Sequence, residues 1–482
     1  MALALPARAV RSVRAAGSHG TVLLAVLPVA LLALPVTTRV TPADAASLAL
    51  VVACAVVLVR RRPAAPRLGA GAAAVLGVPA VAFAVVTVAA PDPAAALPGF
   101  LRYLQVFVLV PLALVLLLRS RREVRLVAVA VVGLALVQGA VGVVQYATGT
   151  GASYMGENVR AVGTFGPLNV MGMATVVSYG IIAALCLGLV PPPGAPRWWR
   201  PVALGCAGAL CVPLAVSFSR GAWLATAAAV GAVLLIAGWR RARRTLALLL
   251  CGGALLVGGA ALVSDAVADR LTSIGQVTGT PDQSVIDRYA MWDAALGMWR
   301  QEPWTGVGPR GFAEYRDTHA SLALSAGSDT AGAGAEFQVQ ELLSPHNMYL
   351  LLLSEQGLLG AAAVVGGWAA LLLGAVLRLR RCGPVDGGLL ATGLMVWLTV
   401  NFVYADIGGP TTVLTAVAFG LVAWWALAPA ALRPEPAAHP DAALRSEPAA
   451  FRSEPAARPD AAVPPGGTAR PERQPDPVGR PS

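Results

Sequence analysis

The stretch SPHNMYLLLLSEQGLLG, residues 344–360, closes a polar and acidic segment that begins near Ser264 and sits inside an otherwise almost continuously hydrophobic chain. Of the 482 residues, 57% are hydrophobic and 13% are charged, and the mean hydropathy is +0.68. A soluble domain is about 45–50% apolar and about 25% charged, so this composition belongs in a bilayer. The segment 264–360 is then what the membrane-embedded remainder is built to hold.

Outward from that segment, apolar runs long enough to cross a hydrocarbon core (about 17–25 residues) fall near 21–36, 45–59, 68–90, 100–118, 124–147, 168–190, 201–217, 221–238, 245–263, 358–377, 387–404 and 410–428. The expected fold is an all-α integral membrane protein of about twelve transmembrane helices, with a large outward-facing loop between spans nine and ten. The first apolar run leads straight into a second, which reads as a retained helix and not as a cleaved leader. The chain divides into a cytoplasmic N-terminus (1–20), helices one to nine (21–263), an extracytoplasmic loop with amphipathic helices (264–357), helices ten to twelve (358–428) and a tail (429–482).

Arginine supplies an independent reading of orientation. The net charge of +11 rests on Arg alone, since the chain has no lysine. Cytoplasmic loops are enriched in basic residues. With the N-terminus inside, the clusters around Arg11, Arg61, Arg121, Arg197, Arg241 and Arg380 all fall on the inner side, and the short outer loops hold only Arg39, Arg102, Arg160 and Arg220. The site segment is therefore expected to face outward from a multi-pass membrane protein. Because the basic residues are scattered over short loops, the pI of 10.0 carries no nucleic-acid inference. The tail repeats RPEPAA, RSEPAA and RSEPAA; so rich in Pro and Ala, it reads as a disordered cytoplasmic extension. The six cysteines lie in spans or at the inner face without Cys-x-x-Cys spacing, so neither a disulfide framework nor a metal site is expected.

Within the outer segment, 264–345 carries eleven acids against five arginines. In SVIDRYAMWDAALGMWR, Val285, Tyr289, Trp292, Leu296 and Trp299 recur every three or four residues, which predicts an amphipathic helix lying in the headgroup layer with Arg288 beside the stripe. EPWTGVGPRGF reads as a Pro/Gly turn. Ser344 and Pro345 predict a helix start, Ser as cap and Pro as first residue, which would place His346 and Asn347 in the first turn. The glycines from Gly357 to Gly360 predict a break before span ten. Arg220, in SFSRGAWLA, marks the tight outward turn between spans seven and eight, where an arginine must reach the interface or face protein.

Singly, each of these residues also reads as an interfacial anchor, a solvated helix face or a helix cap. Together, on one side of one membrane, they carry more. Guanidiniums beside the headgroup layer suit a diphosphate, because Arg stays charged and takes phosphate oxygens bidentately. A histidine that titrates near neutrality suits removal of a proton from a hydroxyl. The combination describes transfer of a group from a lipid diphosphate to a hydroxyl, with arginine at the leaving group where other enzymes place a divalent metal. The chain has no Asp-x-Asp pair, and no cofactor is expected.

The patterns SFSRGAW, DRYAMWDAAL, PWTGVGPRGF and SPHNMYLLLLSEQGLLG, with RAVGTFGPLN upstream, resemble the O-antigen ligase and O-antigen polymerase superfamily of bacterial envelope glycosyltransferases. The resemblance spans roughly 21–428. It implies a glycan donor on undecaprenyl diphosphate, a glycan, lipid or protein acceptor, contact with membrane lipids, and chemistry without nucleotide or metal. It also implies that Arg220 and Arg288 bind diphosphate, that His346 is the general base, and that Arg160, Asn347 and Glu355 complete the substrate-binding set. A twelve-span transporter of the major facilitator type shares the span count, but it would carry its long loop in the middle and inside. A polyprenyl-phosphate glycosyltransferase with a catalytic acid in its first outer loop would rest on Asp44 alone.

The arginine alternation makes a direct prediction. A cysteine placed at Gly332 is expected to react with an impermeant thiol reagent on intact cells, and one at Ala242 only after permeabilisation; the opposite labelling would invert the topology.

Overall fold

The structure, a computed structural model, describes residues 20–36, 40–60, 68–152, 160–238, 243, 283–325, 328–329 and 339–427. Among the described residues, seven helices are long and apolar enough to cross a membrane: Pro42–Arg60, Ala70–Ala89, Pro93–Leu117, Arg121–Thr148, Pro167–Leu189, Arg220–Ala237 and Met348–Cys382. Four more expected spans are helical but shorter, as Gly20–Leu31, Trp199–Ala215, Asp386–Asn401 and Thr412–Leu427. The expected span 245–263, the start of the outer loop (264–282), the first nineteen residues and the tail lie outside the described residues. The fold is therefore mostly helical, with seven candidate spans among the described residues. Among the described residues, the paired strands are Ser328–Asp329 and Val339–Gln340, antiparallel with Ser328 opposite Gln340.

Local chemistry sets several helix ends. Asp92 accepts from the amides of Ala94 and Ala95 at 2.9 and 3.0 Å, with Pro93 as first helical residue. Ser120 caps Glu123 at 3.3 Å and Ser219 caps Ala222 at 3.4 Å, as short polar side chains do where the first helical amides have no partner.

The core is built round the helix Val170–Leu189, buried from Gly172 to Leu189. The two short helices Asp386–Asn401 and Thr412–Leu427 are almost wholly buried as well, so protein rather than lipid surrounds them. Trp397 Nε1 donates to Thr226 Oγ1 (3.1 Å), Thr226 to Ser178 Oγ (2.9 Å) and Ser178 to the Ala174 carbonyl (2.7 Å). That relay joins three helices and leaves none of its four polar groups bare in an apolar interior. Elsewhere in the core Trp368 stacks with Phe402 and Phe419, and Phe107 meets Phe419 edge-on. Outward, Val81, Val88, Leu48 and Leu235 stay exposed on the candidate spans, the apolar surface that hydrocarbon covers.

The expected break in the helix Met348–Cys382 falls at Gly357, whose φ of 58° and ψ of −167° are not helical. Two ladder bonds are lost there, from Leu358 to Ser354 and from Leu359 to Glu355. The turn 303–308 takes their place. Leu358 N–H donates to the Pro303 carbonyl (2.8 Å) and Leu359 N–H to that of Trp304 (3.1 Å); in return Val307 N–H donates to the Ser354 carbonyl (2.8 Å) and Gly308 N–H to that of Glu355 (3.0 Å). Only glycine fits the break, since a Cβ at 357 would lie 2.3 Å from the Trp304 carbonyl carbon in a backbone conformation closed to other residues.

Gly357→Ala is accordingly expected to destabilise the protein by at least about 2 kcal/mol, read as a lowered melting temperature in detergent. Gly366→Ala, on the same helix, where an added Cβ meets nothing within 4 Å, should be neutral or slightly stabilising.

Candidate functional site

The segment that carries Arg288 is the helix Gln283–Gln301. Its packed face is not the expected aromatic stripe: Asp287, Met291, Ala294, Ala295 and Met298 are buried, whereas Tyr289 is exposed and Val285, Trp292, Leu296 and Trp299 are half-buried. Small Ala and flexible Met side chains allow the helix to pack closely on its neighbour, and the larger aromatic stripe remains at the edge. Trp292 Nε1 reaches across to donate to the Pro345 carbonyl at 2.9 Å. That bond ties the residue before His346 to the helix that carries Arg288.

The helix start at 344–348 differs from the sequence expectation. Asn347, not Ser344, is the cap: its Oδ1 accepts from the amides of Tyr349 (3.0 Å) and Leu350 (3.2 Å), and the helix begins at Met348. Met348 N–H is taken by the carbonyls of Phe402 (2.8 Å) and Ala405 (3.1 Å), so the segment before the last helix fixes where this one begins. His346 therefore precedes the helix, in a left-handed conformation with φ of 49°.

A cavity of about 330 Å³ opens beside it. Arg160, Asn169, Asp287, Arg288, His346 and Asp406 line it, with apolar Leu168, Met171, Met291 and Leu342 and the turn 408–411. His346 Nδ1 lies 3.9 Å from Asp406 Oδ2 and 3.5 Å from Ser344 Oγ, and Ser344 Oγ donates to the same Asp406 oxygen at 2.5 Å. The other Asp406 oxygen accepts from Gly408 N–H at 3.0 Å. Burial holds the His346 pKa below its ordinary value; the Asp406 carboxylate opposes that shift, and the Arg288 guanidinium adds to it. The imidazole is thus favoured in its neutral, proton-accepting form.

Other walls are fixed by backbone. Arg160 pairs with Ala152 through two backbone bonds, at 2.9 and 2.6 Å, and the next residue, Ala161, donates to the Val216 carbonyl at 3.1 Å. Asp287 accepts both the amide and the hydroxyl of Ser325, at 2.9 and 2.7 Å. Gly409, with φ of 73°, lies so close to Asn169 that a Cβ would sit 3.0 Å from its Oδ1.

Of the six residues singled out by the sequence, three meet at the cavity: Arg160, Arg288 and His346. Arg220 is exposed at the first position of the helix Arg220–Ala237. It is not a wall residue, yet its neighbours touch the wall. A Cβ at Gly221 would lie 2.9 Å from Tyr404, and Ser219 Oγ is 3.3 Å from Met171 Sδ. Asn347 is spent as a cap. Glu355 is buried about two turns into the helix and is not part of the cavity lining, accepting from Tyr103 O–H (2.9 Å) and Phe312 N–H (3.3 Å). Asp44, the acid of the first outer loop, is held by Arg102 at 2.6 Å and by Thr41 at 2.8 Å. Sequence reading missed Asp406, although it is the one acid between residues 387 and 428 and stands in a glycine-rich turn, YADIGGP.

Residues 204–365 match a family model described as O-antigen ligase. That match supports the O-antigen ligase and polymerase superfamily. Arg220, Arg288, His346, Asn347 and Glu355 lie inside the O-antigen ligase match, and Arg160 and Asp406 lie outside it. No curated protein matches the chain. The candidate spans and the O-antigen ligase match together describe a membrane protein of polysaccharide biosynthesis.

The geometry separates Glu355 from the cavity. Glu355→Ala should leave Tyr103 and the Phe312 amide without their acceptor and cost about 2–4 kcal/mol of stability, seen as a lower melting temperature and faster proteolysis near Gly308. Glu355→Gln, which keeps an acceptor oxygen, should cost less.

Proposed function

We propose that the protein transfers a glycan from a polyprenyl diphosphate donor to an acceptor hydroxyl at the outer face of the membrane, as a ligase or as a polysaccharide polymerase. The observation that carries this reading is the convergence of Arg160, Arg288 and His346 on one cavity at the end of an apolar helical bundle. The O-antigen ligase match supports the same class of reaction.

In this reading Arg288 and Arg160 take the diphosphate oxygens, and Arg220 reaches the same anion from the adjacent helix start. Their charge offsets the negative charge that grows on the leaving diphosphate as the anomeric C–O bond breaks, without a metal ion. His346 presents Nδ1 to Asp406 and Ser344, which leaves Nε2 as the basic atom. As the acceptor oxygen forms its bond to the anomeric carbon, Nε2 removes the hydroxyl proton, and the bond electrons to phosphate leave with the diphosphate. Asp406 steadies the imidazolium that results. The apolar walls at Leu168, Met171 and Leu342 suit the first prenyl units, and the open side suits the acceptor. Nothing in the site favours a solute pathway.

With lipid-diphosphate glycan and acceptor, purified protein should transfer glycan in the presence of EDTA. Transfer that needs added magnesium would remove the role given to the arginines. His346→Ala should reduce turnover roughly 10²- to 10⁴-fold with donor binding retained, and Arg288→Ala should cost on the order of 2–5 kcal/mol, with Lys restoring only part. The sign of the pH response follows from the shifts at His346. Activity is present above its lowered pKa and lost as pH falls through it; Asp406→Asn should move that acid limb to lower pH, and Arg288→Gln should move it higher. A His346→Ala protein that transfers at the parental rate would refute the assignment.

A further inference from the structure

The chain that follows Arg160 rests on one stripe of the helix Arg121–Thr148, spelled QGAVGVVQ over residues 138–145. Between Arg125 and Tyr146 this helix has two polar side chains, Gln138 and Gln145. Seven residues separate them, about two turns, so they share a face. A side-chain amide within a span is costly unless it is hydrogen-bonded. Both glutamines meet that demand on the backbone next to Arg160. Gln145 Oε1 accepts the amides of Val162 (3.1 Å) and Gly163 (2.8 Å), and its Nε2 donates to the Gly163 carbonyl (2.8 Å). Gln138 is fully buried; its Oε1 accepts the Thr164 amide (2.9 Å), and its Nε2 donates to Thr164 Oγ1 (2.7 Å) and to the Leu32 carbonyl (2.8 Å). Gly142, between the two on the same face, makes room for the segment: a Cβ there would lie 3.1 Å from that of Ala161.

The stripe is thus a seat for residues 161–164. Its other fastenings come from elsewhere in the bundle, with Ala161 N–H on the Val216 carbonyl (3.1 Å) and Val36 N–H on that of Thr164 (3.3 Å). Gln145 makes three of the bonds, and all three fall two or three residues beyond Arg160. That spacing matters because a guanidinium grips phosphate through a planar fork, whose angle of approach is set by the backbone that carries it. A displacement of about 1 Å in such a group is felt strongly by the ligand.

We propose that Gln145 is a positioning residue for Arg160: by holding the backbone of Val162 and Gly163, while Gln138 holds Thr164, it sets where the Arg160 guanidinium meets the donor diphosphate. The inference rests on the reading of Arg160 as a diphosphate ligand and adds the device that aims it.

A double-mutant cycle on the whole protein in nanodiscs tests this, with undecaprenyl diphosphate as the probe and its dissociation constant as the readout. R160A should weaken binding at least about tenfold. Q145M, which keeps side-chain length and helix preference but loses all three bonds, should weaken it about fivefold. In the R160A background Q145M should change binding by less than about twofold, because its effect passes through Arg160. If Q145M is not monodisperse, Q145N, one methylene shorter, runs the same cycle with a loss of about threefold expected. Parental binding in the Gln145 variant would overturn the proposal, and so would an equal loss in both backgrounds, which a merely structural role would give; either result leaves Arg160 as a ligand. Parental binding in R160A would instead remove Arg160 from the diphosphate set and the inference with it.

Discussion

Two amides and two carbonyls at Gly357 have no helical partners, and in apolar surroundings each unmatched group costs several kcal/mol. The turn 303–308 supplies all four partners. From that one requirement much of the site end follows. The turn lies between the helix that carries Arg288 and the helix Gly311–His319, so both are brought against the helix that follows His346. Glu355, beside the break, extends the same interlock through Tyr103 and the Phe312 amide. Trp292, bonded to the Pro345 carbonyl, is a second tether on the same pair of helices. Arg288 and His346 are therefore held at one cavity without help from a ligand, the preorganisation that the proposed transfer requires.

Charge is arranged differently at each level of the bundle. Where spans pack, ionised groups are matched in pairs, Asp44 with Arg102 and Arg125 with Asp386. At the cavity Arg160 and Arg288 share one space with Asp287, Glu341, Asp406 and the neutral-favoured His346, so both signs of charge and a titratable group meet there.

The sequence disclosed what depends on composition and short-range spacing. Apolar runs gave helices, the Gly357–Gly360 cluster gave the break, and the residue types in DRYAMW and SPHNMY pointed to the cavity. It failed where partners come from far along the chain. Ser344 and Asn347 are both good caps, and only the Phe402 and Ala405 carbonyls, bound to Met348 N–H, decide between them. The aromatic stripe of the Arg288 helix was visible, yet the packed face is the Ala/Met one, because packing follows the neighbour's shape rather than hydrophobicity alone. Asp406 is sixty residues from His346 and in no shared motif, so its role is legible only in three dimensions. Glu355 stands in the same motif as His346 but points into a different polar knot.

The position of the turn 404–411 has a consequence for biogenesis. Spans enter the bilayer in the order they are synthesised, and the cavity takes its last wall from the connection between the final two described helices. The turn 303–308 likewise leaves the ribosome before the helix break that it will fill. Arg288 and His346 can thus meet once the helix after His346 has been made, but the cavity around them is closed only when the turn 404–411 follows. The cavity is therefore among the last parts of the described bundle to be completed as the chain is made.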